Sequence, residues 1–307
     1  MKAVRVHAFG GLDAMIYEDV PCPRPGPGQI LVRVAAAGVG PWDAWVREGR
    51  SVLPQPLPLT LGADLSGTVE EAGAEVADFV PGGAVFGVTN RQFTGAYAEF
   101  ALAEAAMVAA KPAVLSDVEA ASVPVVACTA FQMLSRHAAV GAGQSVLVLG
   151  GAGNVGAYAV QLARLCGAKV VATAQEPDLG YVRTLGADGA IAAGQPPPPQ
   201  LAAQMDVVID TAGGSALAQA FDWMRPGGVL ISAVAAPDQA VAARHGVRAQ
   251  FILVDVTAAD LRHLADLFEA GRLRPHVGEV LHLSDARIAH RMLADGEHRA
   301  GKIVLVP

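Results

Sequence analysis

The glycine-rich segment 151–156 constrains the fold of this chain more than any other feature of its sequence. It reads Gly-Ala-Gly-Asn-Val-Gly, follows an apolar strand pattern at 145–149, and opens a pattern typical of a helix. In that context Gly151 permits a tight turn, Gly153 lets the backbone approach a pyrophosphate, and Gly156 allows close contact between helix and strand. A purely structural turn is the alternative. We expect a dinucleotide here, its diphosphate at the helix N-terminus, bound by Gly151, Gly153, Asn154, Val155 and Gly156.

The remaining sequence predicts an α/β fold with two domains. Residues 1–118 show short strand patterns bounded by Gly and Pro, which is typical of a β-rich domain. Between 145 and 234, apolar strand patterns alternate with helical ones, which indicates a doubly wound parallel sheet covered on both faces. We expect residues 119–269 to form this sheet domain, inserted into a β-rich domain made of 1–118 and 270–307.

The sequence predicts where one helix begins and where it is interrupted. The pattern over 117–137 is helical, Ser116 is a suitable N-cap, and Pro124 must break or kink the helix because it lacks an N–H donor.

Composition and charge narrow the function classes. The chain has 307 residues, 52% of them apolar and 17% charged, which is enough to bury two cores. Its net charge of −7, without a run of Lys or Arg, argues against a nucleic-acid partner. Cys22, Cys128 and Cys166 lie far apart, which indicates no disulfide framework and fits a reducing compartment. With no signal-peptide pattern or long apolar run visible, we expect a cytoplasmic protein without a membrane partner.

Three other motifs are excluded. Gly296, Gly301 and Lys302 match the spacing of a phosphate-binding loop, but Ile303 replaces the hydroxyl residue and a strand follows where a helix is needed. The sequence has no Gly-x-Ser-x-Gly elbow and no His-x-x-x-His pair, so hydrolase and metalloprotease chemistry are not supported.

Further motifs carry a resemblance across nearly the whole chain. They include Leu61-Gly62-Ala63-Asp64-Leu65-Ser66-Gly67, Gly95-Ala96-Tyr97-Ala98-Glu99, the glycine-rich turn, and Gly301-Lys302-Ile303-Val304-Leu305. By their order and spacing, the chain resembles the zinc-independent quinone oxidoreductase group of the medium-chain dehydrogenase/reductase superfamily. The resemblance implies a Rossmann sheet inserted in a GroES-like catalytic domain, with the active site in the crevice between domains.

The resemblance also implies chemistry without a metal. Zinc-bearing relatives carry metal-site residues in a Gly-His-Glu segment, where this chain has Gly62-Ala63-Asp64, and the four-cysteine lobe is missing. Without imidazole or thiolate ligands no tetrahedral site is expected. This suits direct hydride transfer to acceptors that are already electrophilic, namely quinones or α,β-unsaturated carbonyl compounds. An enoyl reductase, an NADPH-binding structural protein with little turnover, and a remote unrelated α/β binding module are the alternatives.

The resemblance places further residues at the site. Thr129, Ala174, Gln175, Ala212, Gly213, Ala233, Phe251 and Leu253 are expected near the cofactor. Trp42, Val88, Phe93 and Phe251 are expected to line the substrate pocket, and Trp45 is a further candidate for its wall. Ordinary core or surface positions are the alternative for the two tryptophans, and core positions are the alternative for Val88 and Phe93.

The active-site segment departs from the family pattern. Relatives usually begin it with Asn-Pro, where this chain has Gly40-Pro41, which leaves room but removes an amide. Asp43 is a weak candidate for a proton donor, since a solvated loop carboxylate fits the sequence as well, and solvent can supply the proton.

The donor and the oligomeric state complete the expectations. No acid occupies the tip of the strand ending at Ala174-Gln175, and Arg183 is a possible partner for a 2′-phosphate, so NADPH is predicted. Glu176 leaves NADH possible if its carboxylate turns inward. Relatives pair an edge strand of the Rossmann sheet, so the β-rich row at 247–255 predicts a homodimer.

Overall fold

The computed structural model describes residues 1–53, 55–296 and 300–307. It divides into two compact units. The first unit comprises residues 1–125 and 255–307, and the second comprises residues 126–254. The sequence predicts domain boundaries at 118/119 and 269/270, which differ from the limits of these two units. The predicted domain boundaries stay a prediction.

Sixteen strands are present among the described residues. In chain order they are β1 Lys2–Val6, β2 Met15–Asp19, β3 Gln29–Val39, β4 Leu59–Thr60, β5 Asp64–Ala72, β6 Ala84–Val88, β7 Phe100–Glu104, β8 Val108–Ala110, β9 Ser145–Leu149, β10 Lys169–Ala174, β11 Gly189–Ala192, β12 Met205–Asp210, β13 Met224–Ser232, β14 Arg248–Phe251, β15 Val277–His282 and β16 Lys302–Val306.

The same part of the chain contains nine α-helices. They are α1 Pro41–Arg47, α2 Asp117–Ala121, α3 Pro124–Gln132, α4 Asn154–Leu165, α5 Leu179–Thr184, α6 Gly214–Gln219, α7 Gln239–His245, α8 Ala258–Glu269 and α9 Ala286–Asp295. None of these helices combines the length and apolarity that crossing a membrane requires.

Strand β3 organises the first unit. It pairs antiparallel with β5, β7 and β16, so the last strand of the chain completes a sheet that begins near the N-terminus. The sheet runs β15-β16-β3-β5-β6-β8, and a second, three-stranded sheet runs β2-β1-β4. Apolar side chains such as Ile30, Val32, Leu65 and Leu305 are fully buried in the core between them and stabilise the unit by leaving water.

The second unit is a six-stranded sheet in the order β11-β10-β9-β12-β13-β14. All five neighbouring pairs are parallel. The chain moves from β9 outward through β10 to β11, then returns to β12 on the other side of β9. This doubly wound order confirms the predicted fold class and places a switch point between β9 and β12.

The predicted helix over 117–137 divides as its sequence requires. Ser116 caps α2: its Oγ accepts a hydrogen bond from Glu119 N at 3.2 Å, and the Glu119 side chain accepts from Ser116 N in return. The chain then turns, and Pro124 begins α3 because a proline at the first helical position loses no hydrogen bond. A π-helical turn, Met133–His137, ends the segment.

The edge of the second sheet is shorter than its sequence pattern. The sequence pattern predicts a strand over the whole of residues 247–255. In the structure β14 ends at Phe251, and residues 252–255 are not part of a strand. Ile252 turns inward and is buried, whereas Leu253 is 62% exposed. The apolar residues after 251 are therefore not a continuous pairing edge.

Candidate functional site

The residues predicted to bind a cofactor collect at one edge of the second sheet. Since β9, β10, β12, β13 and β14 are parallel, their carboxyl ends meet there. Ala174 is the last residue of β10, and the loops leaving these ends carry Gly151 and Gly153, Gln175, Ala212 and Gly213, Ala233, and Leu253. Thr129 is buried within α3 of the same unit.

The three motif glycines have different structural reasons. A Cβ at Gly156 would lie 2.1 Å from the Gly150 carbonyl oxygen, and one at Gly151 would lie 2.7 Å from Ala172 Cβ. Both positions must stay bare for the turn to pack. Gly153 is exposed, its φ of −72° suits any residue, and a Cβ there would meet only the Gly150 oxygen, at 3.3 Å. Packing alone therefore gives little reason for glycine at 153.

The start of α4 fits a diphosphate group. Gly153 is the N-cap of this twelve-residue helix. The first backbone N–H groups of a helix have no intrahelical partner, and here no side chain of the N-cap accepts from them. These groups and the helix dipole attract an anion, and the bare Cα of Gly153 leaves room for its approach. The observed turn thus suits the group that the sequence predicts.

Two residues that order this edge were missed by the sequence analysis. Asp210 ends β12 fully buried; its Oδ1 accepts hydrogen bonds from Ala212 N at 3.1 Å and Gly213 N at 2.9 Å. Its Oδ2 accepts from Ser232 Oγ at 2.7 Å, and that Oγ accepts in turn from Val234 N. The sequence signal that could have identified Asp210 is a carboxylate at the last position of a largely apolar strand. Asp210 and Ser232 shape the loops that carry the predicted contacts.

The tip of β10 presents the residues predicted to select the donor. Gln175 is the exposed N-cap of a short 3-10 turn in which Glu176 comes first and Pro177 second. Arg183 is exposed in α5, and its guanidinium donates to the Leu179 and Ala190 carbonyls at 3.4 and 3.5 Å. Arg183 is therefore directed along its own helix toward β11, and both of these hydrogen bonds are long.

Asp43 of the first unit is a buried carboxyl group. It is the third residue of α1 and has no exposed surface, so the reading as a solvated loop carboxylate is wrong. Its Oδ2 accepts hydrogen bonds from Gly40 N at 2.8 Å and from Tyr97 Oη at 2.9 Å, while Oδ1 has no partner among the described residues. Burial raises the pKa of Asp43 to about 7, against the opposing effects of the Gly40 N–H and Lys302.

The helix that carries Asp43 is held at its far end by Arg47. This buried side chain donates to the Gly10 carbonyl at 3.2 Å and contacts His290 Nδ1 of α9 at 2.9 Å. Burial and the neighbouring guanidinium lower the pKa of His290 to about 3, so the imidazole is neutral and accepts this hydrogen bond.

The position of the relatives' metal site does not fit a metal in this chain. Ala63 is buried and offers no ligand atom. The carboxylate of the following Asp64 accepts a hydrogen bond from Val125 N at 2.9 Å and lies 2.9 Å from Lys302 Nζ. An ammonium group thus supplies the counter-charge that a cation would supply. The described residues also contain no group of three potential ligand side chains.

The predicted pocket residues differ in exposure. Val88 is fully buried at the end of β6 and pairs with Asp64, so its side chain packs in the core, and its place in the pocket wall stays a prediction. Phe93 is half-buried and has a φ of 59°, which is unusual for a bulky residue. Trp42 is half-buried, Trp45 is 43% exposed, and Phe251 of the second unit is 39% exposed.

Comparisons with known proteins agree with this fold. Residues 26–113 match the family described as "Alcohol dehydrogenase GroES-like domain", and residues 185–305 match the family described as "Zinc-binding dehydrogenase". A nucleotide-binding sheet combined with a GroES-like domain defines an NAD(P)H-dependent oxidoreductase of the medium-chain dehydrogenase/reductase superfamily.

Individual relatives define the group within that superfamily. The chain is 32% identical to the quinone oxidoreductase of Sus scrofa, over 100% of this chain and 98% of the relative. It is 36% identical to a chloroplastic quinone-oxidoreductase homolog of Spinacia oleracea over 61% of this chain, and that alignment spans only 60% of the relative. The structure of the quinone oxidoreductase from Coxiella burnetii matches with a TM-score of 0.88 and 32% identity, over 100% and 99% of the two chains. The chain belongs to the quinone oxidoreductase group.

Replacing Asp43 by Asn is expected to change how stability depends on pH. The folded protein keeps a proton on Asp43 up to about pH 7, whereas the unfolded chain releases it near pH 4, so the wild type loses stability as pH rises through this range. An Asn side chain keeps the acceptor for Gly40 and Tyr97 without the charge. Urea unfolding should show Asp43→Asn gaining on the wild type between pH 5 and pH 8, by on the order of 2–4 kcal/mol.

The exposed Asp13→Asn variant is the control and should run parallel to the wild type. Parallel curves for Asp43→Asn as well would contradict the buried protonation described here.

Replacing Gly153 by Val is expected to abolish dinucleotide binding without unfolding the protein. The added side chain meets only the Gly150 oxygen but fills the approach to α4. Calorimetry with NADPH should detect no binding, and the melting temperature should stay within a few degrees of the wild type. Gly141→Val, at an exposed glycine with only Gln144 Oε1 near its Cβ at 3.9 Å, should bind normally. Affinity of Gly153→Val within about threefold of the wild type would refute the phosphate assignment.

Proposed function

We propose that this protein reduces a quinone or a similar conjugated carbonyl compound with NADPH, by direct hydride transfer and without a metal. The observation that carries the proposal is the buried pair of Lys302 and Asp64 beside Ala63, which takes the place of a metal site. A reductase without a Lewis acid needs an acceptor that is already electrophilic. Quinones meet this requirement, and the quinone oxidoreductases of pig and Coxiella burnetii are similar over their full lengths.

The residues have separate tasks in this proposal. The bound nicotinamide supplies a hydride from its C4 atom. The N–H groups at the start of α4 hold the diphosphate, and the loops ordered by Asp210 orient the remainder of the donor. Trp42 and Phe93 border the acceptor. Asp43 is fully buried, so solvent supplies the proton that completes a hydroquinone.

The preference for NADPH rests on the tip of β10. Gln175 offers no charge there, and Glu176 opens a 3-10 turn whose N-terminal end a carboxylate favours. Arg183 is exposed and held by long hydrogen bonds only, so little opposes its rotation toward a 2′-phosphate. If Glu176 turns to the ribose hydroxyl groups, NADH becomes the better donor.

Two further properties are part of the proposal. The chain forms a homodimer through β14, which lies at the edge of its sheet and carries the exposed Phe251. It acts in the cytoplasm on a small molecule, a choice supported by three cysteines that form no disulfide.

An acceptor panel is expected to favour quinones over thioesters. After exhaustive treatment with EDTA, NADPH oxidation is measured with 1,4-benzoquinone, 9,10-phenanthrenequinone and a crotonyl thioester. We expect kcat/KM for a quinone to exceed that for the thioester at least about tenfold, and NADPH to be preferred to NADH. Glu176→Gln should leave the donor preference unchanged, and Gly153→Val gives the background rate.

Other results of this panel would contradict separate parts of the proposal. Preference for the thioester indicates an enoyl reductase, and binding without turnover indicates a structural protein. Activity that EDTA removes and zinc restores contradicts the metal-free chemistry. A preference for NADH that disappears in Glu176→Gln shows that Glu176 holds the ribose.

Light scattering is expected to give twice the chain mass of 31.4 kDa at micromolar concentration, because an exposed sheet edge can pair with its copy. A monomer at that concentration would refute the dimer.

A further inference from the structure

Trp42 lies where a side chain of residue 40 would otherwise lie. A Cβ built on Gly40 would fall 2.2 Å from Trp42 Cζ2 and 2.4 Å from both Cε2 and Cη2. Any residue larger than glycine at 40 would therefore displace the indole. The glycine at 40 therefore leaves the space that the indole of Trp42 fills.

Hydrogen bonding does not explain how the indole is held. Trp42 Nε1 is buried and has no hydrogen-bond partner among the described residues. The polar contact that the indole does make is with Lys302, whose Nζ lies 4.3 Å from the centroid of the ring. That distance is well inside the range in which an ammonium group is attracted to an aromatic face.

Lys302 is itself buried and lies against a carboxylate. Its side chain is 1% exposed, and Nζ lies 2.9 Å from Asp64 Oδ2, although neither atom completes a hydrogen bond of acceptable geometry. The side chains of Lys302 and Asp64 meet over Gly38 of β3, where a Cβ would lie 3.0 Å from both Lys302 Cε and Asp64 Cβ. A Cβ at 38 would also lie 2.5 Å from the Ala121 carbonyl oxygen, so the glycine permits both that close approach and the contact across the sheet.

A buried ion pair of this kind is a weak source of stability, because its desolvation offsets most of its attraction, and an apolar pair often packs as well. The contact between Lys302 Nζ and the Trp42 indole suggests that the buried charge positions this ring. We propose that Lys302, paired with Asp64, is a positioning residue that holds Trp42 against Gly40 and so sets the shape of the acceptor pocket. The second half of this inference rests on the proposed function, in which Trp42 borders the acceptor.

The test separates the charge from the fold. Either single replacement leaves one buried charge without its partner, so the double variant Asp64→Asn/Lys302→Met removes both charges and keeps the stem of the lysine. The matched control is Asp19→Asn/Lys2→Met. It neutralises an exposed Lys–Asp pair at 2.7 Å whose lysine also lies over an aromatic ring, 5.6 Å from the centroid of Tyr17.

Two readouts follow the indole and the reaction. The chain has three tryptophans, so 5-fluorotryptophan labelling gives three ¹⁹F resonances, and Trp42→Phe assigns one. In the double variant we expect the Trp42 resonance to shift or broaden, with the other two unchanged. We expect the acceptor KM to rise roughly five- to thirtyfold, because a cation–π contact corresponds to about fivefold at an exposed site and about thirtyfold when desolvated, and the donor KM to stay unchanged. The control should match the wild type throughout.

The outcomes distinguish the two proposals. An unchanged Trp42 resonance in a folded double variant overturns the positioning role, whatever the activity. A changed resonance with an unchanged acceptor KM overturns the link to the pocket. If the wild type reduces no quinone, the proposed function fails, and the resonance alone still decides whether Lys302 positions Trp42.

Discussion

A buried ammonium group needs a counter-charge, and in the first unit Asp64 supplies it to Lys302 at 2.9 Å. This pair joins β5 to β16 across the central strand β3, which has room for it because residue 38 is glycine. The last strand of the chain is thereby tied to the segment that carries metal-site residues in zinc-bearing relatives. The same carboxylate holds the Val125 N–H at the end of the unit. Loss of either charge alone leaves the other unpaired in a dry core, so these residues depend on one another.

The second unit is organised by strand direction. Five carboxyl ends meet at one edge, and a single buried carboxylate, Asp210, orders two of the loops that leave it. The proposed diphosphate position depends on the backbone of the turn before α4, where packing requires glycine at 156 and 151 but not at 153. Within one six-residue motif, packing therefore explains the glycines at 151 and 156, whereas access for a ligand explains the glycine at 153. This separation makes the motif a stronger indication of a ligand than its glycine pattern alone.

Much of the fold was predictable because its signals are local. The strand, turn and helix around 151–156 are adjacent in sequence, and Ser116 and Pro124 mark a helix start and a break by their own chemistry. The site of the first unit was not predictable in the same way. Lys302 appears in the sequence in a rejected phosphate-loop match and in a family motif, and neither relates it to Asp64, because the two residues are far apart in the chain. The burial of Asp43 and Val88 likewise follows from tertiary packing, which no local pattern contains.

In the proposed reaction, hydride passes directly from the nicotinamide to a conjugated carbonyl acceptor without a metal. Pre-steady-state oxidation of NADPH deuterated at both C4 positions, in metal-depleted buffer with 9,10-phenanthrenequinone, tests it most directly. If hydride transfer is direct and metal-free, the first turnover is slower with the deuterated donor than with ordinary NADPH and is the same with and without added zinc. Equal rates for the two donors in a phase that reports donor oxidation, or a first turnover that requires zinc, would contradict it.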